Sequence, residues 1–441
     1  MVTTTGLIIS SALNLAALLL WIRLLSPAQF GLLALATSAG QLLNALAFEW
    51  LRLAGARSLA DPRAPDGVDP RILAAWLRIA AIAAVLVVAA LLAATVVRVA
   101  PPGLSPRWNI AILLLAASEM LLAAITLVAR LRLRAASYAA AMVGRSALAL
   151  GLGVVVVRQG AGAAGIIAAT ALAQLAVTAI AVAADPLWRT AVLIRSSPGD
   201  RADLVRLGMP LIAASGLALA AATIDRTLVA QALGVAAAGQ FAAPAEIVAK
   251  TLGFALMAAN LSAYPLLVRS WERDGPAAAA RALDRNLVVL LAAGVPIATG
   301  LTVLASPLAA LLFNPAAAPL AARLLPWLAG AALVRLLVTF HFGVALQLAR
   351  RMGLLIIPSL MTLAILVPLA APVIAAAGLE GFCKLLLASQ VAGALTAWAL
   401  ARHAFALAYA SDSAASPMTS RPAPITVRST STTAPSSVAP Q

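Results

Sequence analysis

Arg145, Lys250 and Arg335 each fall within a long apolar run, and Glu119 and Glu246 share that setting. Asp225 and Arg226 are adjacent at the end of another run, while Arg23, Glu49 and Arg52 stand near the ends of the first two. An ionisable group at mid-depth in hydrocarbon costs at least about 2.5–3.5 kcal/mol, so each needs a cavity, a partner or the interface. Simple pairings would satisfy several of them. Glu119 and Arg145 fall at similar depth on an antiparallel hairpin and could neutralise each other. Glu246 precedes Lys250 by one helical turn, the favourable order for an ion pair on one helix face. Asp225-Arg226 would anchor a helix end at the interface, and Arg23 would extend to the headgroups. His341 reads as a packed, hydrogen-bonded residue. Asn14, Gln41, Asn44 and Asn260 read as hydrogen-bonding links between helices. The other reading gathers the cations around one wet cavity.

The elements that must position these groups follow from composition. The 441 residues are 63% hydrophobic and only 10% charged, with a mean hydropathy of +1.01. A soluble domain carries roughly 25% charged residues. Lipid is therefore the solvent, and only helices or closed barrels satisfy a backbone there. Apolar runs of about 20 residues recur and strand-length alternation is absent, which selects helices. The expected fold is all-α and integral to the membrane. Spans are placed near 7–25, 31–50, 73–97, 108–130, 136–157, 162–184, 204–224, 236–264, 287–313, 320–348, 353–375 and 379–402. That is about twelve helices. Pro244 and Pro265 are expected to kink or end the long eighth run. The apolar stretch from Gly6 is long enough to be the first span and reads as no cleavable signal.

Basic residues fix the orientation. With the N-terminus inside, most of the 31 Lys and Arg residues fall in cytoplasmic loops. Arg52, Arg57, Arg63 and Arg71, then Arg130 to Arg134, Arg189 to Arg206, Arg269 to Arg285, and Arg350-Arg351 mark them, and Arg402, Arg421 and Arg428 follow the last span. The rule of positive loops inside puts both termini in the cytoplasm. The formal charge of +16 is therefore a topology signal, with no nucleic-acid partner implied. The chain divides into a six-helix lobe over 1–184, a cytoplasmic linker over 185–203, a second six-helix lobe over 204–402 and a disordered tail over 403–441 rich in Ser, Thr, Pro and Ala.

Several chemistries are excluded. A single cysteine, Cys383, allows no intramolecular disulfide, and two histidines argue against a histidine-built metal site. No phosphate-cradling G-x-x-x-x-G-K-[ST] is present, so the chain does not hydrolyse ATP itself. No loop has room for a folded catalytic domain. The expectation is a transporter with no cofactor.

An internal repeat is visible. Leu25-Ser26-Pro27-Ala28-Gln29-Phe30-Gly31 follows the first span, and Leu233-Gly234-Val235-Ala236-Ala237-Ala238-Gly239 follows the seventh, 208 residues later. Repeats with an even number of spans are parallel, related by an axis along the membrane normal. The stretch from Arg23 to Gly31 resembles the "R-x-L-[ST]-P-x-x-[FY]-G" turn of the Wzx-type polysaccharide-biosynthesis flippases, members of the multidrug/oligosaccharidyl-lipid/polysaccharide exporter superfamily. Asp225-Arg226, Leu233-Gly234, Gly239-Gln240-Phe241, Tyr264-Pro265 and Leu311-Leu312-Phe313 extend the resemblance over about residues 1–400.

The resemblance implies two lobes in a V that alternates its opening. It implies an undecaprenyl-pyrophosphate-linked oligosaccharide carried across a bacterial inner membrane by a monomer, with a polysaccharide polymerase and chain-length protein as neighbours. Arg23, Arg52, Arg145, Lys250 and Arg335 would line a central cationic cavity, Arg23 and Lys250 foremost. Guanidinium groups suit phosphate through paired donors. Asp225, Glu246 and Glu119 are the candidates for ion coupling. A multidrug antiporter of the same superfamily and a peptidoglycan-precursor flippase share the fold and stay open as alternatives. A membrane-embedded oligosaccharide polymerase or ligase fits poorly, because the outer loops lack acid/base residues. A major-facilitator transporter fits poorly because Leu53-Ala54-Gly55-Ala56-Arg57 lacks that class's loop motif.

Overall fold

A computed structural model of the protein describes residues 2–60, 67–101 and 103–415. Arg63, Arg421, Arg428 and the tail from residue 416 lie outside the described residues. The described chain is helical, with no strand and one isolated bridge between Ala60 and Val68.

Helices α1 (Val2–Leu24) and α2 (Pro27–Asn44) are followed by a π-helical turn (Ala45–Glu49) that runs into α3 (Trp50–Ser58). Next come α4 (Pro70–Val96), α5 (Trp108–Leu131), α6 (Ala135–Arg158) and α7 (Gly162–Ala184). The short α8 (Pro186–Leu193) leads to α9 (Pro198–Leu233), and the expected linker over 185–203 is therefore largely helical. The remainder is α10 (Val235–Val303), α11 (Ala305–Leu312), α12 (Ala318–Leu337), a second π-helical turn (Val338–Phe342), α13 (Gly343–Leu348) and α14 (Ile356–Ala415). Among the described residues, nine helical stretches are long and apolar enough to cross a membrane. Many large apolar side chains on their outer faces are exposed, Val85, Leu86, Ile180 and Leu395 among them, as a lipid solvent requires. The protein is a multi-pass membrane protein.

Two stretches contain sharp breaks. Gly275 (φ 79°) divides α10 and Gly378 (φ 62°) divides α14, each in a backbone conformation that a side chain disfavours. The Gly275 break comes after the chain has run unbroken through Pro244 and Pro265. Pro265 thus does not end its helix, and the segment 235–274 is about 60 Å long at 1.5 Å per residue. α9 also outruns its expected end at 224 by continuing to Leu233. α14 likewise continues past 403 to Ala415.

Local sequence explains where helices start. Ser26-Pro27, Asp69-Pro70, Asp185-Pro186 and Ser197-Pro198 each place an oxygen-bearing cap before a proline at the first helical position. Ser197 and Asp200 complete a reciprocal capping box, with bonds of 2.9 and 3.0 Å. Asp185 caps α8 through the Leu187 amide at 3.1 Å and also holds Arg134 at 3.0 Å and Arg132.

Within the N-terminal half, small residues and hydroxyls bring helices together. Ser10 on α1 meets Ser146 on α6 at 2.8 Å, and Ser118 on α5 donates to Gln174 on α7 at 2.6 Å. These, with Gln29 accepting from the Ala163 amide at 2.9 Å and Trp76 donating to the Leu51 carbonyl at 2.7 Å, are among the polar links between helices. The four amides expected in that role do something else. Asn14 and Gln41 line a cavity, while the side-chain oxygens of Asn44 and Asn260 are buried without partners.

The halves meet where α2 lies along α10. A Cβ on Gly31 would sit 2.0 Å from the Val235 carbonyl oxygen, and one on Gly239 would sit 1.8 Å from that of Pro27. Both contacts join a glycine of one helix to the carbonyl four residues before the glycine of the other. They are the same contact seen from both sides of a local two-fold axis through the repeat. Gly31→Ala or Gly239→Ala should lower stability by at least about 1–3 kcal/mol, read as a drop in the thermal unfolding midpoint in detergent. Gly253→Ala, where nothing lies within 4 Å, should leave it unchanged or raise it. Equal behaviour of the three variants would remove this contact as the organising one.

Candidate functional site

A cavity of about 230 Å³ opens between the α1, α2, α5, α6 and α7 side chains and the facing parts of α9 and α10. Its charged lining is Arg145, Arg226, Lys250 and Glu246. Asn14, Thr37, Gln41, Ser146 and Thr170 add uncharged polar groups, and Trp21 and Phe30 form part of the apolar wall.

Arg226 is the hub. Its guanidinium donates to Glu246 on α10 at 2.5 Å and to the Ser38 hydroxyl on α2 at 3.0 Å. Asp225 lies 3.9 Å from the Arg226 Nε and accepts the Arg226 backbone amide at 2.8 Å. The expected interfacial anchor at Asp225-Arg226 is therefore replaced by a pair well inside the protein, with side chains 13% and 11% exposed. The reason is the extra length of α9. Two further helical turns beyond 224 leave the pair within the helix and away from its end at Leu233. Arg226 is absent from the expected cavity cations; the sequence offers it as an interfacial anchor and a point of family resemblance. The usable signal was the absence of any Gly or Pro between Ala222 and Leu233, which lets the helix run on to Gly234.

The expected Glu246–Lys250 pair forms at 3.6 Å, and Glu246 is shared with Arg226. The expected Glu119–Arg145 pair does not close. The two attract each other electrostatically but are not in ion-pair contact, and Glu119 Oε2 and Arg145 Nε are buried without hydrogen bonds. Arg145 accordingly turns its charge to the cavity.

The structure places the other expected cavity cations elsewhere. Arg23 is exposed and donates to the Leu311 carbonyl at 2.6 Å, tying the end of α1 to the end of α11. Arg52 is paired with Glu49, one turn away at the π-helical turn. Arg335 lines two smaller chambers, of about 40 and 130 Å³, on the far side of Arg226. Asp225 lines the smaller of these. His341 is buried with Nδ1 unbonded, its ring against Phe342.

Residues of the flippase-like turn are occupied structurally. Ser26 caps α2, Gln29 caps α7, Phe30 is buried in the core, and Gly31 makes the inter-half contact. Among the described residues, no cluster of His, Cys, Asp and Glu could hold a metal ion.

Arg226→Gln alone should cost up to about 3 kcal/mol, because it leaves the largely buried Glu246 carboxylate with only its longer contact to Lys250. The double variant Arg226→Gln/Glu246→Gln should recover most of that loss, measured as a double-mutant cycle on unfolding midpoints. Strict additivity would mean that the two groups are not coupled.

No family model matches the chain, and no curated protein matches it by sequence. Solved structures do match it, across nearly its whole length. An inward-facing multidrug resistance MATE family transporter of the MOP superfamily superposes with a TM-score of 0.70 at 16% identity, covering 91% of this chain and 96% of that one. The lipid II flippase MurJ in an inward closed conformation gives 0.65 at 10% identity, covering 92% and 89%. A MOP superfamily transporter from Pyrococcus furiosus gives 0.62 at 15% identity, covering 92% and 94%. The chain has the fold of the MOP-superfamily transporters.

Proposed function

We propose that the protein is an alternating-access flippase for a polyprenyl-pyrophosphate-linked oligosaccharide in a bacterial inner membrane. It would have twelve spans in two six-helix lobes, with both termini cytoplasmic. Breaks at Gly275 and Gly378, together with the long α9, support that span count beside the nine apolar stretches. The observation that carries the reading is the sign of the cavity lining. Three cations face one carboxylate there, an excess of two positive charges. A diphosphate diester carries about two negative charges, and leaving water is what makes its crossing costly. Fixed guanidinium and ammonium groups offset that cost. Asn14, Gln41 and Thr170 suit weak contacts to a first sugar.

The cavity is below the roughly 300–1,000 Å³ of ordinary ligand pockets. It suits the headgroup with a few waters, and a chain of sugars requires the opened form. The polyprenyl tail would remain in lipid. Arg145, Lys250 and Arg226 replace the wider set as headgroup ligands, with Arg23, Arg52 and Arg335 outside it. Asp225 and Glu246 face guanidinium groups, which leaves Glu119 as the carboxylate for ion coupling. A polymerase and a chain-length protein would act on the exported glycan.

A second reading, a small-molecule antiporter, draws on Trp21, Phe30 and the carboxylate Glu246 in the same wall. A peptidoglycan-precursor flippase would use the same diphosphate chemistry. Reconstituted vesicles separate the three. We expect translocation of a labelled polyprenyl-pyrophosphate oligosaccharide and none of fluorescent cationic drugs or lipid II. Arg145→Gln and Lys250→Gln should each slow translocation by roughly tenfold or more, and Arg23→Gln should stay within about twofold. Parental rates in both cavity variants would rule out the headgroup site.

A further inference from the structure

Arg335 is a guanidinium in a spanning helix without a carboxylate in contact. Among the described residues its one hydrogen bond is to the Ala222 carbonyl at 3.4 Å, long for an N–H···O bond. The nearby carboxylates are committed elsewhere: Glu246 to Arg226 and Lys250, Asp225 to Arg226. The 130 Å³ chamber beside Arg335 is bounded by α9, the α12 end with its π-helical turn, and both segments of α14. No other charged residue lines it.

Its polar walls are unequal. The hydroxyls of Thr339, Ser359 and Thr362 donate back to carbonyls of their own helices. The Gln390 side chain makes no hydrogen bond within the described residues although the residue is only 7% exposed. Gln390 and Arg335 border both small chambers. The free polar hydrogens turned toward this space therefore belong to a guanidinium and an amide. A cation would be repelled there. Unpaired buried donors are costly, as is a buried guanidinium offset by Asp225 and Glu246 only from beyond contact, and one anion relieves both.

We infer that Arg335 and Gln390 form a binding site for a small monovalent inorganic anion of the halide class, separate from the central cavity. Monovalence follows from one guanidinium, with the Asp225 carboxylate on its other side opposing a second negative charge. Small size follows from the close walls. Ala218, Ala221 and Gly393 line the chamber, and a Cβ on Gly393 would come 2.4 Å from the Thr362 hydroxyl. The site does not depend on what the central cavity carries.

Bromide is the probe, with the full chain. Crystals grown in sodium bromide should show an anomalous peak within hydrogen-bonding reach of Arg335 and Gln390. Arg335→Gln should remove that peak, whatever happens beside Lys250. In lipid nanodiscs, replacing gluconate by bromide at constant ionic strength should raise the unfolding midpoint by about 2 °C. Lys250→Gln should keep that rise and Arg335→Gln should lose it. If Arg335→Gln does not fold, Gln390→Leu serves, with the bromide half-saturation raised roughly tenfold. The inference is overturned by a wild-type map without a peak at Arg335, by a peak that survives Arg335→Gln, or by unchanged half-saturation in Gln390→Leu.

Discussion

Two glycines on different helices, each resting on the other helix's carbonyl, set the distance between α2 and α10. With no side chain between the backbones, the helices approach as small-residue pairs do in lipid, where van der Waals contact replaces the hydrophobic drive. The approach has a consequence seven residues further along. The 208-residue offset relating Gly31 to Gly239 also relates Ser38 to Glu246. Those two equivalent positions are the partners between which Arg226 bonds. The local two-fold geometry thus delivers a hydroxyl from one half and a carboxylate from the other to a single guanidinium. Were the helices a side chain's width further apart, Arg226 could not reach both.

Symmetry in the backbone is accompanied by asymmetry in charge. The N-terminal half brings Arg145 and a set of amides and hydroxyls to the cavity, and the C-terminal half brings Arg226, Glu246 and Lys250. The position equivalent to Arg226 in the first repeat is Leu18, and that equivalent to Lys250 is Leu42. The cavity cations of the C-terminal half thus have apolar residues at the positions 208 residues earlier. The two sides of Arg226 are also unlike. Toward the N-terminal half lies a chamber with several charges, and toward α12 and α14 lie chambers where Arg335 is dominant.

How much of this could be read beforehand depends on the solvent. Helix starts carry a local signal, a Ser or Asp before Pro that satisfies amides whatever surrounds it, but the spans placed from apolar runs began at 31, 73 and 204, inside the observed starts at Pro27, Pro70 and Pro198. Helix existence was legible because a lipid core demands apolar runs of a set length. Helix facing was not. In water an apolar stripe marks the buried side, but in lipid both sides of an Ala- and Leu-rich helix are apolar, and periodicity loses that information. Arg23 and Arg145 therefore looked alike as cations on spans, though one ties α1 to α11 and the other lines the cavity. Helix ends failed for a related reason. Pro265 lies inside α10 without ending it, and the helix breaks only at Gly275. Asp225-Arg226 were misplaced because charge was taken as the sign of an interface. The repeat was readable as a spacing, but its role as a contact needed the third dimension.

The division of cations between the halves bears on how a rocking motion could be linked to cargo. The Arg226–Glu246 bond joins α9 to α10, both in the C-terminal half, and would travel with that half intact. The Arg226–Ser38 bond crosses between halves, and a hydrogen bond from a charged donor to one hydroxyl is worth about 1.5–3 kcal/mol. That is a modest tether, one that a motion on the μs–ms scale can break. Arg145 lies on α6 and Lys250 on α10, so separation of the halves moves them apart. A dianion held by both would favour the form in which they are near, by as much as its affinity differs between the two forms. A neutral sugar touching only Asn14, Gln41 and Thr170 contacts one half alone and gains nothing from closure. For the cargo proposed above, the diphosphate would be the part able to bias the conformational equilibrium, and the glycan could vary without altering it.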